Sequence, residues 1–257
     1  MKIVIGIPAR MGSTRFPGKP LCDILGKPMI EHCYQRAALS KYATNIFIAA
    51  CDEEVSNVAR GFGANVIMTD KLIQRPGLRV AFAAETLMLD DDDIVVVLQG
   101  DEPMVHPDMI DLAIEPLLRD RDLYVTNLCA PATLDDMADP GEIKVVCDLQ
   151  MNAMYMSRSP IPSTFHEEVR SEWWKQVCIM PFRWHFMKTF NHDLSPTPLE
   201  LQESIEMLRA IQHGFKVRMV PSPFVSKSVD TNQDRLMVEQ LMQEDTLYKK
   251  YKDKVLL

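Results

Sequence analysis

The stretch that decides the fold is Met1–Leu21, MKIVIGIPARMGSTRFPGKPL, in which an apolar strand runs directly into a basic, glycine-containing loop. The basic residues and glycines of this loop are Arg10, Arg15, Lys19, Gly12 and Gly18. Such a loop gathers backbone N–H groups and cationic side chains at the carboxyl edge of a sheet, where open α/β folds bind their ligands. The stretch therefore predicts an α/β fold with a binding site for a polyphosphate.

The first half of the chain alternates short apolar runs with segments of helical spacing, which is the pattern of βαβ units. The predicted strands are Lys2–Ile7, Asn45–Ala50, Asn65–Met68 and Ile94–Leu98. The predicted helices are Met29–Leu39, Glu53–Phe62, Leu78–Leu89 and Pro107–Leu118. Near-continuous apolar strands such as IVVVL indicate burial on both faces, and hence a mostly parallel, Rossmann-like sheet covered by helices.

After about residue 120 the pattern becomes mixed, which indicates an inserted lobe. The predicted strands of this part are Leu123–Ala130, Ile143–Cys147 and Gln176–Phe182, and a proline-containing passage, SRSPIPST, precedes the last of them. Further on, the predicted helices and the strand between them are Leu199–His213, Gln233–Tyr248 and Lys216–Val220. We expect one domain over residues 1–257, with a small α/β lobe inserted at approximately 131–190.

The composition limits the kind of protein. The chain has 257 residues, 47% of them hydrophobic and 25% charged, which is typical of one globular domain with an ample core. Its formal net charge is −8, so we expect no nucleic-acid partner and no anionic membrane surface. The six cysteines are scattered without a CxxC pair, and no apolar run approaches the length of a membrane span. We therefore expect a cytoplasmic protein with reduced thiols.

A second motif, LQGDEP (98–103), places Asp101 and Glu102 after a buried strand, at the same sheet edge as the basic loop. Asp230, in SVDT (228–231), also follows a predicted strand. Mg²⁺ takes one or two carboxylates together with phosphate oxygens, so acids beside a phosphate loop suit a Mg²⁺–nucleotide complex. Asp101 and Asp230 are therefore candidate Mg²⁺ ligands. Each could instead cap a following helix, since aspartate is a favoured N-cap residue.

Several segments occur together in an order that is typical of one family. They are IPARMGSTRFPGKPL (7–21), LQGDEP (98–103), KVVCD (144–148) with Tyr155, SRSPIP (157–162), TPLE (197–200) and SVDTNQD (228–234). In these segments, and over nearly its whole length, the chain resembles the CMP-Kdo synthetases, the 3-deoxy-manno-octulosonate (Kdo) cytidylyltransferases. The first segment is specific, because its fifteen positions combine glycines, prolines and basic or hydroxyl residues in a fixed order.

The resemblance implies a nucleotide-diphospho-sugar transferase fold and a defined reaction. CMP would pass from CTP to the anomeric hydroxyl of an acidic 2-keto-3-deoxy sugar, with release of pyrophosphate, for cell-surface polysaccharide or lipopolysaccharide synthesis. The resemblance also implies Mg²⁺ as cofactor and a homodimer formed through the inserted lobe. The chemistry agrees with the basic loop, because attack at the α-phosphorus builds up negative charge that prepositioned cations and metal can stabilise.

By motif match, the resemblance assigns roles to individual residues. The expected catalytic residues are Lys19, Asp101 and Asp230, of which Asp101 and Asp230 would hold Mg²⁺. The expected nucleotide-binding residues are Ala9, Arg10, Gly12, Ser13, Arg15, Lys19, Gln74, Arg79 and Gln99. The expected sugar-binding residues are Gln99, Arg158, Gln176, Phe182 and Glu206. Arg158 would face the sugar carboxylate, for which a planar guanidinium is suited.

The departures from the family pattern lie in the acceptor half. After the third predicted strand the family usually has Gln-Ser-Gly-Thr, whereas this chain has QRPGL (74–78). Where the family usually has His-Leu-Gly-Ile-Tyr and then Tyr-Arg, this chain has QVCIMPFR (176–183), and Met207 stands where glutamine is usual. A site that hydrogen-bonds a hydroxyl rejects analogues without it, so these changes leave open which sugar acid is accepted.

Two alternatives stay open at this point. One is a cytidylyltransferase for another acidic sugar, of the nonulosonate type. The other is a non-catalytic nucleotide-binding relative that has lost its second substrate. The intact set of Arg10, Lys19, Asp101 and Asp230 favours an enzyme, since a binding module has no need for two metal carboxylates on separate strands.

Overall fold

The computed structural model describes residues 1–13, 16–163 and 172–253. The strands are β1 Ile3–Ala9, β2 Asp23–Ile24, β3 Lys27–Pro28, β4 Asn45–Ala50, β5 Val66–Met68, β6 Ile94–Leu98, β7 Thr126–Pro131, β8 Lys144–Cys147, β9 Ala153–Ser157, β10 Trp174–Val177, β11 Ile179–Arg183 and β12 Arg218–Pro221. The helices are α1 Met29–Ala37, α2 Glu53–Gly61, α3 Pro76–Ala84, α4 Pro107–Arg119, α5 Leu134–Ala138, α6 Trp184–Lys188, α7 Pro198–Glu203, α8 Met207–Gln212, α9 Asn232–Gln243 and α10 Tyr248–Tyr251. None of the helices in these ranges is long and apolar enough to cross a membrane.

The first sheet has the strand order β11-β6-β1-β4-β5. Strands β6, β1, β4 and β5 run parallel, and β11 pairs with β6 antiparallel at one edge. Every residue of β6 is buried, as its uninterrupted apolar run indicates. The predicted α/β fold with a mostly parallel, Rossmann-like sheet is thus confirmed.

The apolar core lies on both faces of this sheet. Ile3, Ile5 and Ile7 pack on one face, with residues of α1, α2 and α4, whereas Val4 belongs to the cluster on the other face. This alternation along β1 is the period of two that a strand imposes. Gly6 lies against α3, where an added Cβ would be 2.4 Å from Val80 Cγ1, so only glycine allows this packing.

The second sheet has the order β12-β7-β10-β8-β9 and is mostly antiparallel. The predicted strand Gln176–Phe182 is divided between the two sheets, because the chain crosses at Cys178 from β10 to β11. Strand β11 therefore belongs to the first sheet although it lies within the range expected for the inserted lobe. The predicted strand Lys216–Val220 appears as β12, which joins the second sheet beside β7.

Two predicted helices are shorter than expected. The segment Leu199–His213 forms α7 and α8, because Ser204 adopts a left-handed conformation with φ of 56° and ends the first of them. The segment Gln233–Tyr248 forms α9, which ends at Gln243, and α10 begins at Tyr248. Periodicity alone does not reveal either break, since the apolar spacing continues across both.

Candidate active site

The loop after β1 is tied to the body of the protein at its start. The backbone N–H of Met11 donates to Asp52 Oδ2 at 2.8 Å. Gly18 has φ of 73°, which favours glycine, and begins the single helical turn that carries Lys19. The loop thereby places Lys19 at the carboxyl edge of the first sheet. Arg15, which is also predicted to bind the nucleotide, lies outside the described residues.

Lys19 bridges the two acids that the sequence predicts as metal ligands. Its Nζ donates to Asp101 Oδ2 at 2.8 Å and to Asp230 Oδ1 at 2.9 Å. Burial alone would lower the pKa of Lys19, but the attraction and hydrogen bonds of the two carboxylates outweigh it and raise that pKa. The ammonium group is therefore held in its charged form. It has three N–H donors, of which the two carboxylates take two.

The segments that carry the two acids are joined directly. The backbone N–H of Val229 donates to the carbonyl of Asp101 at 2.9 Å. Gly100 allows the end of β6 to approach β1, because an added Cβ there would lie 2.8 Å from the carbonyl oxygen of Pro8. The glycine of LQGDEP thus has a steric role, and it fixes where the following aspartate lies.

Neither acid caps a helix. The N-cap of α4 is His106, whose Nδ1 accepts a backbone N–H at 3.2 Å. The N-cap of α9 is Thr231, which forms a capping box with Asp234. The capping interpretation of the two acids is therefore wrong, and both carboxylates instead contact the ammonium group of the β1 loop.

Arg10, in the loop after β1, contacts a residue that follows β5: Arg10 Nη1 donates to Gln74 Oε1. Arg79 forms hydrogen bonds to the loop that precedes Gln74. The guanidinium of Arg79, which is only 2% exposed, donates to Thr69 Oγ1 and to the carbonyl of Ile73. Arg79 therefore positions the loop that presents Gln74 and bonds mainly to this loop.

On the opposite side, Arg158 is held by carbonyl groups. Its Nε donates to the carbonyl of Glu203 at 2.8 Å, and Nη1 donates to the carbonyls of Pro140 at 3.0 Å and Gly141 at 3.2 Å. The Glu203 carboxylate accepts the backbone N–H of Arg158 at 2.9 Å. The guanidinium is consequently fixed in place, and within the part of the chain that the structure describes its Nη2 has no hydrogen-bond partner, so it can donate to an anionic group.

A buried lysine fixes the backbone around Arg158. Lys144 is fully buried, and its Nζ donates to the carbonyls of Asp139 at 2.6 Å, Glu142 at 2.9 Å and Arg158 at 2.7 Å. Burial lowers the pKa of Lys144. These three bonds join the turn before β8 to the end of β9, and they fix the backbone from which the Arg158 side chain projects.

Gln176 and Phe182 lie in different surroundings. Gln176 lines the cavity, and its Nε2 donates to Asn127 Oδ1 at 2.5 Å. Phe182 is 2% exposed and packs in the aromatic core, with ring centroids 6.3 Å from Phe186 and 5.6 Å from Phe190. The prediction that Phe182 contacts the sugar is therefore wrong, because β11 turns this side chain into the core.

An acceptor-side charge cluster of Arg75, Glu200, Glu206 and Arg209 lies where α3, α7 and α8 meet. The Glu200 carboxylate is 1% exposed and receives two bonds from Arg209, at 2.9 Å from Nε and 2.6 Å from Nη2. Arg75 Nη1 forms a second ion pair with Glu200. Glu206 Oε2 accepts the backbone N–H of Gly77 at 3.2 Å, and burial raises the pKa of Glu206.

Most of the predicted site residues line one cleft of about 1020 Å³. Its walls contain these residues predicted from the sequence: Ala9, Arg10, Gly12, Ser13, Lys19, Gln74, Arg79, Gln99, Asp101, Arg158, Gln176, Glu206 and Asp230. The predicted residues are thus brought together from distant parts of the chain, while the role assigned to each stays a prediction. The volume is large for one small ligand and suits two ligands side by side.

Sequence reasoning missed the residues that hold this cleft in shape. Lys144, Glu200 and Glu203 bind backbone or charged partners rather than projecting as ligands. Two of them lie in quoted segments, KVVCD and TPLE, so the motifs contained the signal. Their partners could not be identified, because each pairing depends on the packing of elements far apart in sequence.

A basic loop and fixed cations at the carboxyl edge of a parallel sheet suit a nucleoside triphosphate. By its fold and its site the protein is a nucleotidyltransferase. Comparison with known proteins narrows this class. The model of the cytidylyltransferase family matches residues 3–236, and the chain therefore belongs to the cytidylyltransferase family.

Known proteins that are similar to this chain agree with this assignment. The chain is 39% identical over 250 residues to the 3-deoxy-manno-octulosonate cytidylyltransferase of Geobacter metallireducens, covering 91% of this chain and 95% of the relative. It is 37% identical over 254 residues to the 8-amino-3,8-dideoxy-manno-octulosonate cytidylyltransferase of Shewanella sediminis, covering 95% and 100%. A solved CMP:2-keto-3-deoxy-manno-octonic acid synthetase complexed with CTP superimposes with a TM-score of 0.88 at 34% identity, covering 95% and 99%. The resemblance inferred from the motifs is confirmed.

Proposed function

We propose that the protein transfers CMP from CTP to the anomeric hydroxyl of Kdo, or of a close 3-deoxy-2-keto sugar acid, and releases pyrophosphate. The observation that carries this proposal is the ammonium group of Lys19 between Asp101 and Asp230, in a cleft whose other wall carries Arg158 and Glu206. The names of the relatives support the same reaction. The activated sugar would serve cell-surface polysaccharide or lipopolysaccharide synthesis.

In this proposal the chain's own charges receive the triphosphate. Attack at the α-phosphorus increases the negative charge on the non-bridging and leaving oxygens, so fixed cations lower the barrier. Lys19 is already charged and held in place, and Arg10, on the same loop after β1, also lines the cleft. Because these groups are held before the substrate arrives, little reorganisation is needed in the transition state.

We propose Mg²⁺ as the cofactor, held by Asp101 and Asp230. Both carboxylates reach one ammonium group, so they converge on a small volume at the phosphate side of the cleft. Within the described ranges, no group of three or more His, Cys, Asp or Glu side chains could hold a metal ion by itself. A pair of carboxylates fits Mg²⁺, which commonly binds one or two carboxylates and completes its shell with water and phosphate oxygens. When bound, Mg²⁺ neutralises phosphate charge.

The acceptor acid would lie between Arg158 and Glu206. Arg158 supplies a fixed guanidinium for the sugar carboxylate, and this contact would orient the anomeric hydroxyl toward the α-phosphate. Glu206 Oε1 is buried without a hydrogen-bond partner among the described residues, so a sugar hydroxyl that donates to it would satisfy it. Gln99 and Gln176 also line the cleft.

We also propose that the protein is a cytoplasmic homodimer that associates through the second sheet. Strand β9 forms the edge of that sheet. Met154 on this strand is 63% exposed, and Leu149 in the preceding turn is fully exposed. An edge strand with exposed apolar side chains favours association with a second copy. Light scattering should give twice the mass of the 257-residue chain, and Met154→Asp should shift it to the monomer; a monomeric wild type would contradict the proposal.

The experiment that tests the proposed function is pyrophosphate release with CTP and Mg²⁺ over a panel of acids. The panel contains Kdo, its 8-amino derivative and nonulosonates, with UTP in place of CTP as the control. We expect release with Kdo and CTP and none with UTP. Release with a nonulosonate alone would favour the alternative acidic-sugar enzyme. Silence with every acid, while CTP still raises the Tm, would favour a non-catalytic nucleotide-binding protein.

A further inference from the structure

The acceptor-side charge cluster contains one more cation than its buried carboxylate needs. Glu200 is already satisfied by the two parallel bonds from Arg209, both groups being nearly inaccessible to solvent. Such a bidentate pair is the strong form of an arginine–carboxylate contact. Arg75 adds a second guanidinium to the same carboxylate, while its side chain remains 29% exposed and lines the cleft.

Arg75 changes the charge balance at this end of the cleft. Without it, the carboxylates of Glu200 and Glu206 would face only the guanidinium of Arg209, and the cluster would be net negative. With it, the two acids are balanced by two cations, one of which reaches the cleft. A net negative pocket attracts an ammonium group on a ligand, whereas a balanced pocket with an accessible guanidinium does not.

The position of Arg75 in α3 gives no local reason for an arginine. Arg75 is the N-cap residue of this helix and makes no side-chain capping bond. Serine, threonine, asparagine and aspartate are favoured at an N-cap, and a cation there opposes the helix dipole. The backbone at residue 75 would accept serine without strain, because its φ of −87° and ψ of 133° are ordinary extended values. The side chain is therefore best explained by what it contacts.

Arg75 and Glu206 together match a hydroxyl group. A guanidinium only donates hydrogen bonds, and the unpartnered Oε1 of Glu206 only accepts when ionised. A hydroxyl does both, so it can accept from Arg75 and donate to Glu206. An ammonium group can only donate, so it would satisfy Glu206 but meet Arg75 with like charge and no acceptor.

We propose that Arg75 determines acceptor specificity by selecting a hydroxyl, and rejecting an ammonium group, on the carbon chain of the sugar acid. This inference rests on the proposed function, which puts the anomeric carbon beside Lys19 and Asp101. Groups on α3, α7 and α8 then meet the remainder of the acid, whose end is C8. Overall similarity does not decide between the two acids, since identity to the two kinds of relative is 39% and 37%.

The test compares Kdo with its 8-amino-8-deoxy analogue in pyrophosphate release with CTP. The variants are Arg75→Ser, Arg75→Lys and, as matched control, Arg119→Ser, which removes an arginine with a 77% exposed side chain. For each protein the measured quantity is the ratio of kcat/KM for Kdo to kcat/KM for the 8-amino-8-deoxy analogue. The KM for CTP is measured alongside, because a general disturbance of the loop that carries Gln74 would raise it.

We expect wild type and Arg119→Ser to prefer Kdo, and Arg75→Ser to lower the ratio by about tenfold or more, with the KM for CTP unchanged. Arg75→Lys should keep most of the discrimination against the amine, because the charge remains. A wild type that prefers the amine, or a ratio that Arg75→Ser leaves unchanged, would overturn the proposal. If neither acid is turned over, the proposed function fails, and dissociation constants of the two acids from calorimetry decide the Arg75 inference by the same ratio.

Discussion

His32 should make the stability of this protein fall as the pH drops below neutrality. The ring of His32, on α1, is fully buried against α10. Its Nε2 lies 2.8 Å from the carbonyl of Ile24, and its Nδ1 lies 3.0 Å from Tyr251 Oη. The Tyr251 hydroxyl also accepts from Arg36 Nε at 3.2 Å, so its own proton is directed at His32 Nδ1. A proton added at Nδ1 would face that hydroxyl proton and the Arg36 charge.

The magnitude follows from the pKa. Burial, helped by the charge of Arg36, lowers the pKa of His32 from 6.5 to about 4. The pKa of His32 is lower in the folded state than in the unfolded state. The protein therefore has its full stability above pH 6.5 and loses stability as the pH falls from there toward 4. The full gap corresponds to about 3 kcal/mol, of which about 2 kcal/mol is lost by pH 5.

The assay is urea denaturation at pH 7.5 and pH 5.0 for wild type, His32→Gln and His213→Gln, the last replacing an exposed histidine. Glutamine keeps one donor and one acceptor but does not titrate. We expect the advantage of wild type over His32→Gln in unfolding free energy to shrink by about 2 kcal/mol between the two pH values. An advantage that is equal at both pH values would refute the reasoning, and so would an equal shrinkage for His213→Gln.

Three further predictions concern the cleft. Asp101→Asn should reduce turnover about 100-fold or more without loss of fold, because it removes one of the two carboxylates proposed to hold Mg²⁺, whereas Asp92→Asn in an exposed turn should match wild type; Mg²⁺-dependent pyrophosphate release measures both. Lys144→Met should lower the unfolding free energy by about 3 kcal/mol and raise the KM for the sugar acid, since three carbonyls lose their buried donor and Arg158 loses its support; unchanged urea midpoints would contradict this. Gly100→Ala should cost about 1–3 kcal/mol and lower kcat, because its Cβ would press on the end of β1; normal stability and kcat would show that the backbone can yield.

The first sheet could be predicted from the sequence because its evidence is local. Buried parallel strands are continuous apolar runs, and the helices between them have clear spacing, so β1, β4 and β6 lie close to their expected bounds. The boundary between the two sheets could not be predicted in this way. After Gln176 the run to Phe182 is apolar, and only its partners, β7 on one side of Cys178 and β6 on the other, divide it into two strands.

The same contrast applies to the candidate site. Lys19 and Asp101 could be placed at one sheet edge, because each follows a parallel strand of the first sheet. Phe182 could not be excluded by sequence, because the face on which a strand residue lies depends on register, and a shift of one residue would turn it around. The Arg75–Glu200 pair could not be found either, because it joins the start of α3 to α7, which lies far away in the sequence.

The phosphate side and the acceptor side of the cleft are built from different parts of the fold. Acceptor specificity can therefore change while the residues proposed to contact the nucleotide stay in place. The phosphate side depends on the β1 loop, the end of β6 and the segment before α9, which are joined by the Val229–Asp101 backbone bond. The acceptor-side charge cluster depends on α3, α7 and α8. The adjacent residues Gln74 and Arg75 connect them, with Gln74 bonded to Arg10 and Arg75 paired with Glu200. A substitution at residue 75 can therefore alter the preferred acid without moving the carboxylates at Lys19, provided that the backbone of Gln74 keeps its place.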